Sequence, residues 1–124
     1  MSAAKAARTA QTLYLIRHAD AGDPSEWIGP DAERPLSGKG VKQVARLAAT
    51  LLAAETAIDE IRYSPARRCV ETATVLSAVL EVEAVADERL LDGPPIAQLA
   101  RMFDQKGVAR LALVGHEPNL SRLL

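Results

Sequence analysis

Each of the two histidines in the chain follows a short apolar segment. Arg17 and His18 come directly after the run TLYLI, and His116 comes after the run RLALV and one glycine. Arg68 lies five residues after IDEIRY, a third segment that is interpreted as a strand. Guanidinium groups hold phosphate oxygens with paired hydrogen bonds, and a neutral imidazole can attack phosphorus to form a covalent intermediate. These residue types therefore indicate phosphate chemistry, provided that the fold brings them together.

The elements that must position these residues are predicted from apolar periodicity. Short apolar runs predict strands at residues 12–16, 58–63 and 110–114, with a weaker one at 82–85. Helical spacing predicts helices at residues 37–55, 64–80, 94–107 and 117–124. Ser64 is expected to be the N-cap of the second helix, with Pro65 as its first residue. Alternating strands and helices predict a single α/β domain with a largely parallel sheet.

The carboxyl ends of the predicted strands carry the candidate residues. Ligands of open α/β sheets bind outside these ends, so Arg17, His18, Arg68 and His116 should meet at one edge. Helices that begin there after the second and the last long strand would favour an anion. Arg67 and Arg68 are adjacent and cannot share a helix face, so we expect one of them to enter the pocket and the other to face solvent.

Composition excludes several classes of function. The 124 residues, with a formal net charge of -1, suit one domain and give no bulk field for nucleic acid or an anionic membrane. The aromatic residues are too few for a base-stacking platform, and a single cysteine cannot form an internal disulfide. Two histidines are too few for a His-rich metal site. No apolar run is long enough for a membrane span, and residues 1–11 lack the apolar core of a signal peptide. We expect residues 1–11 to be a disordered lead-in and the protein to be cytoplasmic.

Four segments carry motifs, in chain order LYLIRHA at 13–19, ERPLSGKG at 33–40, SPARRCVETA at 64–73 and GHEPNL at 115–120. They resemble the signatures of the histidine phosphatase (phosphoglycerate mutase-like) superfamily. The first, second and fourth segments look most like those of the short SixA-type phosphohistidine phosphatases. The resemblance covers almost the whole chain. It implies a three-layer sandwich with a mostly parallel central sheet, formed by residues 12–124.

The resemblance also implies a role for each matching residue. His18 would be the nucleophile, Arg17 and Arg68 would bind phosphate, and His116 would bond a phosphate oxygen. No metal or organic cofactor is implied. The implied activity is that of a metal-independent phosphatase, with phosphohistidine on a signalling protein as the expected substrate.

The chain departs from the superfamily pattern at several positions. Ala19 replaces a glycine, as in SixA-like members, and Pro24 replaces an asparagine of mutase-type members, which weakens a mutase interpretation. Asp92 is the nearest positional match to the general acid of larger members. Such members run some tens of residues beyond the last segment, so a C-terminal truncation at Leu124 stays open.

Other interpretations stay open at this stage. A phosphatase for small phosphoesters would use the same residues, and so would a phosphate-binding module without turnover. A metal hydrolase would have to use His18, His116, Asp20 and Asp92, and two histidines with scattered carboxylates are a poor zinc set.

Two further side chains admit two interpretations each. Arg34 would either reach the substrate or form a salt bridge within its loop. Cys69 lies on an apolar stripe at helical spacing, which favours a place in the core over reactivity.

Overall fold

The computed structural model describes residues 11–92, 98, 101–103, 107–117 and 119–123. Within these residues one sheet contains the strands β1 (Thr12–Arg17), β2 (Glu60–Tyr63), β3 (Ala84–Ala86) and β4 (Arg110–Gly115). The long helices are α1 (Gly38–Ala53) and α2 (Arg67–Leu80). Short 3-10 turns cover Pro24–Glu26, Asp31–Glu33, Glu88–Leu91 and Ser121–Leu123. None of the helices in these ranges is long and apolar enough to cross a membrane.

The sheet is parallel throughout and has the strand order β1-β4-β2-β3. In the register, Gly115 of β4 pairs with Arg17 of β1, and Val114 pairs with Tyr63 of β2. The carboxyl ends of β1, β2 and β4 therefore lie side by side. The backbone N–H of His18 donates to the carbonyl of Gly115, 3.1 Å away, which extends the pairing past the end of β1.

Both faces of the sheet are buried. On one face, Ala112 and Val114 of β4 pack against α1 and α2, and on the other face Leu111 and Leu113 pack against Leu90 and Met102. A strand buried on both sides needs apolar residues at successive positions, as β4 has from Leu111 to Val114. The predicted α/β fold with a central parallel sheet is confirmed.

The two long helices begin differently. Ser37 caps α1 as predicted, because its hydroxyl accepts a hydrogen bond from the N–H of Gly40 at 3.0 Å. The prediction that Ser64 caps α2 was wrong, since α2 begins at Arg67 with Ala66 as its N-cap. Ser64 instead continues the pairing of β2, with its N–H donating to the carbonyl of Val114 at 3.0 Å, so it cannot yet turn into the helix.

The segment after β4 also differs from its prediction. The expected helix over 117–124 is a turn followed by the 3-10 segment Ser121–Leu123. The carboxylate of Glu117 accepts hydrogen bonds from the N–H and the hydroxyl of Ser121. In an α-helix, this N–H would instead donate to the backbone carbonyl four residues before it. Of the two helix N-termini expected at this edge, the structure therefore shows the one after β2. The predicted lead-in and most of the predicted helix over 94–107 lie outside the described residues.

A close backbone approach fixes the loop after β1. A Cβ atom on Gly40 would lie 1.9 Å from the carbonyl oxygen of Asp20, so this position of α1 has room for glycine alone. The same carbonyl accepts the N–H of Ser37 at 2.9 Å. The chain that follows His18 is thus held directly against the start of α1.

Candidate active site

The sheet edge brings the predicted site residues around one cavity. The cavity has a volume of about 480 Å³, and its lining includes Arg17, His18, Arg68 and His116. The ring centroids of the two histidines lie 5.5 Å apart, with an angle of 62° between the ring planes. A volume of this size accommodates a phosphate group and part of a leaving group.

His18 is held in one tautomer. Its Nδ1 lies 2.7 Å from the carbonyl oxygen of Ala19, which can only accept, so Nδ1 carries the hydrogen and Nε2 keeps its lone pair. Burial lowers the pKa of His18, and the positive charges of Arg68 and Arg17 lower it further, against the opposing effect of the bond to Ala19. The ring is therefore neutral near neutral pH, and Nε2 is available as a nucleophile.

The backbone beside His18 is tied to both helices. The N–H of Ala19 donates to the hydroxyl oxygen of Thr72 at 3.1 Å, and this hydroxyl donates to the carbonyl of Arg68 at 2.8 Å. The N–H of Asp20 donates to the side-chain oxygen of Gln43 at 2.9 Å. The carbonyl that fixes the tautomer of His18 is thus itself fixed.

The two adjacent arginines of α2 point in different directions, as the sequence predicts. Arg68 is 8% exposed, and its Nη1 and Nη2 donate to the carbonyl and the carboxylate of Asp31 at 2.9 and 3.0 Å. Arg67 is exposed and pairs with Glu71 one turn along the helix, at 2.8 Å. Arg68 therefore lines the cavity and Arg67 faces solvent.

His116 bonds to a different partner at each ring nitrogen. Its Nε2 lies 2.8 Å from the hydroxyl oxygen of Ser64, and its Nδ1 lies 3.4 Å from Nη2 of Arg68. The pKa of His116 is lowered to about 4, mainly by burial and also by the charges of Arg68 and His18, against an opposing effect of Asp31. This ring is also neutral near neutral pH.

Arg34 forms the salt bridge within its loop, and its side chain also lies at the cavity. Its Nη1 donates to the carbonyl of Ala21 at 2.7 Å and its Nε pairs with Asp31 at 3.2 Å, while the side chain also lines the cavity. Asp31 therefore binds both Arg34 and Arg68. Sequence reasoning missed Asp31, Ser64 and Thr72 as parts of the site, because the contacts that place them there, to Arg68, His116 and Ala19, join residues distant in the sequence and leave no local pattern.

A family profile matches the part of the chain that contains the first three of the four motifs. The profile described as the histidine phosphatase superfamily, branch 1, matches residues 13–92, which is more than half of the chain. The chain belongs to the histidine phosphatase superfamily. A relative in Picosynechococcus sp., described as an uncharacterized protein, is 32% identical over 114 residues, which cover 87% of this chain and 67% of that protein.

Solved structures share the fold of this histidine phosphatase. SixA from Agrobacterium tumefaciens superposes with a TM-score of 0.75 at 24% identity, over 91% of this chain and 73% of that one. The protein histidine phosphatase SixA in complex with tungstate superposes with a TM-score of 0.77 at 22% identity, over 90% and 72% of the two chains. At these identities the likeness shows a common fold.

Three other sequence predictions for this histidine phosphatase concern side chains outside the central group. Asp92, the positional match to a general acid, is exposed after a 3-10 turn and does not line the 480 Å³ cavity. Cys69 is in the core as predicted, and burial raises the pKa of its thiol to about 11, which keeps it protonated. In the part of the chain that the structure describes, no three His, Cys, Asp or Glu side chains are grouped so that they could hold a metal ion.

Proposed function

We propose that the protein is a metal-independent phosphatase that forms a phosphohistidine intermediate on His18 and removes phosphate from phosphohistidine on a signalling protein. The observation that carries the proposal is the 2.7 Å bond from Nδ1 of His18 to the carbonyl of Ala19. It leaves Nε2 as the unprotonated ring nitrogen of a residue that lines an arginine-rich cavity.

The proposed reaction has two displacements. In the first, the lone pair of Nε2 attacks phosphorus, and the bond to the leaving group breaks with its electron pair, which then takes a proton from solvent. In the second, water attacks the phosphorus of phospho-His18, which releases inorganic phosphate, returns the electron pair to Nε2 and sheds a proton to solvent. Arg17, Arg34 and Arg68 offset the charge of the phosphate oxygens in both steps. The P–N bond of phosphohistidine is labile, so the position of Asp92 outside the cavity is compatible with this substrate.

A second cavity adjoins the first, and the charges that line it favour a leaving group that carries no negative charge. Its volume is about 300 Å³, it shares Arg68, His116 and Glu117 with the first cavity, and Asp31 also lines it. Hydrogen bonds from Ser121 lower the pKa of Glu117, and bonds from Arg34 and Arg68 outweigh the effect of burial to lower that of Asp31. Ionised carboxylates repel an anionic leaving group and accept hydrogen bonds from an imidazole. The structurally similar SixA proteins carry the name phosphohistidine phosphatase, which supports the same substrate.

Trapping the intermediate tests the nucleophile. The protein is mixed with a radiolabelled phosphohistidine-bearing protein and quenched in base, and the covalently bound label is tested for loss in acid. We expect an acid-labile, base-stable phosphoenzyme in the wild type and in Arg67→Ala, a solvent-facing control, and no label in His18→Ala. Undiminished labelling of His18→Ala would overturn the assignment.

Comparing substrates tests the leaving group. Phosphate release is measured with the phosphohistidine protein and with a panel of sugar and nucleotide phosphates. We expect a higher kcat/KM for the phosphohistidine protein. A higher kcat/KM for any ester would replace this substrate with a small phosphoester, and binding of phosphate without any turnover would show a binding module.

A further inference from the structure

The hydrogen bonds of His116 fix which of its nitrogens carries the proton. Nδ1 faces Nη2 of Arg68, which can only donate, so Nδ1 is an acceptor in this arrangement. A neutral imidazole has one N–H, which must then lie on Nε2 and donate to Ser64. His116 as it stands has no N–H to offer from Nδ1.

This tautomer conflicts with the binding of phosphate. Nε2 is occupied by the hydroxyl of Ser64, a residue with no exposed surface, so Nδ1 is the nitrogen left for a substrate oxygen. Phosphate oxygens accept hydrogen bonds, and two acceptors facing each other repel. His116 must therefore acquire a hydrogen on Nδ1 before it can bond a phosphate oxygen.

Two routes lead to a protonated Nδ1. The ring can take up a second proton and become a cation, or the single hydrogen can move from Nε2 to Nδ1. The surroundings of His116 disfavour the cation, because burial and the charge of Arg68 lower its pKa to about 4, His18 and Arg34 act in the same direction, and Asp31 alone opposes them. The thiol of Cys69, 3.6 Å from Nε2, stays protonated and offers no charge to stabilise a cation.

Ser64 makes the second route possible. A hydroxyl is both donor and acceptor, so it can accept from Nε2–H in one state and donate to the Nε2 lone pair in the other by rotating about its Cβ–Oγ bond. We propose that Ser64 is a positioning residue that allows His116 to move its hydrogen from Nε2 to Nδ1 when a phosphate group binds, with the imidazole staying neutral. One hydrogen leaves Nε2 and one arrives at Nδ1, so the exchange takes up no net proton. The proposal rests on the phosphate-binding role of this site, but not on turnover.

Nitrogen NMR of the wild-type protein tests the proposal without any substitution. The chain has two histidines, so histidine labelled with ¹⁵N gives four ring signals, which the variant His18→Gln assigns. Spectra are recorded near neutral pH with no added anion and with inorganic tungstate, a tetrahedral oxyanion. We expect His116 to change from the Nε2–H to the Nδ1–H tautomer. A ring that keeps Nε2–H, or one that becomes doubly protonated, would overturn the proposal.

Calorimetry of Ser64 variants gives a second test. Tungstate binding is measured in buffers of different ionisation enthalpy, which reports the number of protons taken up. In Ser64→Ala, Nε2 loses its donor, so we expect binding about tenfold weaker and more proton uptake than in the wild type. Ser64→Thr keeps the hydroxyl and should restore wild-type proton uptake. Equal proton uptake in the wild type and Ser64→Ala would contradict a role beyond packing.

These outcomes are separate from those of the phosphatase proposal. Loss of turnover with an intact tautomer change would disprove the phosphatase function and leave the role of Ser64 standing. A phosphoenzyme on His18 with an unchanged His116 tautomer would support the phosphatase function and disprove the role of Ser64.

Discussion

Asp31 holds Arg68 through two acceptors, its carboxylate at 3.0 Å from Nη2 and its backbone carbonyl at 2.9 Å from Nη1. The residues lie 37 positions apart in the sequence. The contact fixes the guanidinium from the side of the second cavity, and it joins the loop after β1 to the first turn of α2. The carbonyl bond is independent of the side chain at position 31.

The variant Asp31→Asn should have a mild effect. The carboxylate is 61% exposed, and ion pairs of this kind contribute at most about 1 kcal/mol, so we expect kcat/KM to fall by less than about tenfold. Steady-state kinetics with the phosphohistidine protein measure the change. A loss as large as that of Arg68→Ala would show that the carboxylate of Asp31, and not its carbonyl, holds the guanidinium of Arg68 in place.

The variant Arg68→Ala should have a severe effect. Removing one positioned donor from a site that stabilises developing charge lowers kcat by roughly 100- to 1000-fold. Arg67→Ala is the matched control, because its side chain lies one residue away on the same helix and pairs with Glu71 in solvent. We expect the control to stay within about threefold of the wild type, and equal losses in both variants would remove Arg68 from the site.

The pH profile should reflect the lowered pKa of His18. Its folded pKa lies below the ordinary value of 6.5, so Nε2 stays unprotonated to lower pH than in a free imidazole. We expect the midpoint of the acidic limb of the kcat/KM profile to lie below pH 6.5. Activity decreases through this limb because protonation of Nε2 removes the nucleophile. Burial is the largest cause of the shift, and Arg17→Gln, which removes one of the contributing charges, should move the limb to higher pH. A limb above pH 6.5 in the wild type would contradict this reasoning.

The variant Gly40→Ala should destabilise the loop that follows His18. Its Cβ would lie 1.9 Å from the Asp20 carbonyl oxygen, and overpacking of this kind costs about 1–3 kcal/mol. In Gly38→Ala, the control, the new Cβ meets no atom of the described residues within 4 Å, so the free energy of unfolding should stay equal or rise. Urea unfolding measures both, and equal stability of the two variants would contradict the close approach.

Removal of metal ions should leave activity unchanged. Arg17, Arg34 and Arg68 line the cavity and supply the positive charge that a metal ion provides in other phosphatases. The protein is dialysed against a strong chelator and assayed beside a metal-dependent phosphatase as control. A loss of activity that divalent ions restore would favour the metal hydrolase interpretation.

The sequence predicted the edge of the sheet that carries the site, because apolar runs and the residues directly after them are local signals. RLALV and TLYLI became neighbouring strands, which placed His18 and His116 together. The direction of Arg68 relative to Arg67 also followed from helix geometry alone.

The sequence did not reveal hydrogen bonds that override a local pattern. Ser64 matches a local N-cap pattern, but pairing with Val114 on another strand keeps it extended and leaves its hydroxyl for His116. Glu117 followed by proline resembles a helix start, but the carboxylate bonds to Ser121 instead. In each case the residue forms hydrogen bonds with a partner other than the one that the local pattern implied.

The position of β4 between β1 and β2 also has a consequence for folding. β1 and β2 share no ladder with each other, so the half of the site with His18 and the half with Ser64 and Arg68 are joined by β4, which follows both of these strands in the sequence. Contacts of long sequence separation close large loops and form slowly. A nascent chain that has not yet released β4 from the ribosome therefore has no assembled pocket. Any activity of this pocket therefore depends on the pairing of β4 with both earlier strands.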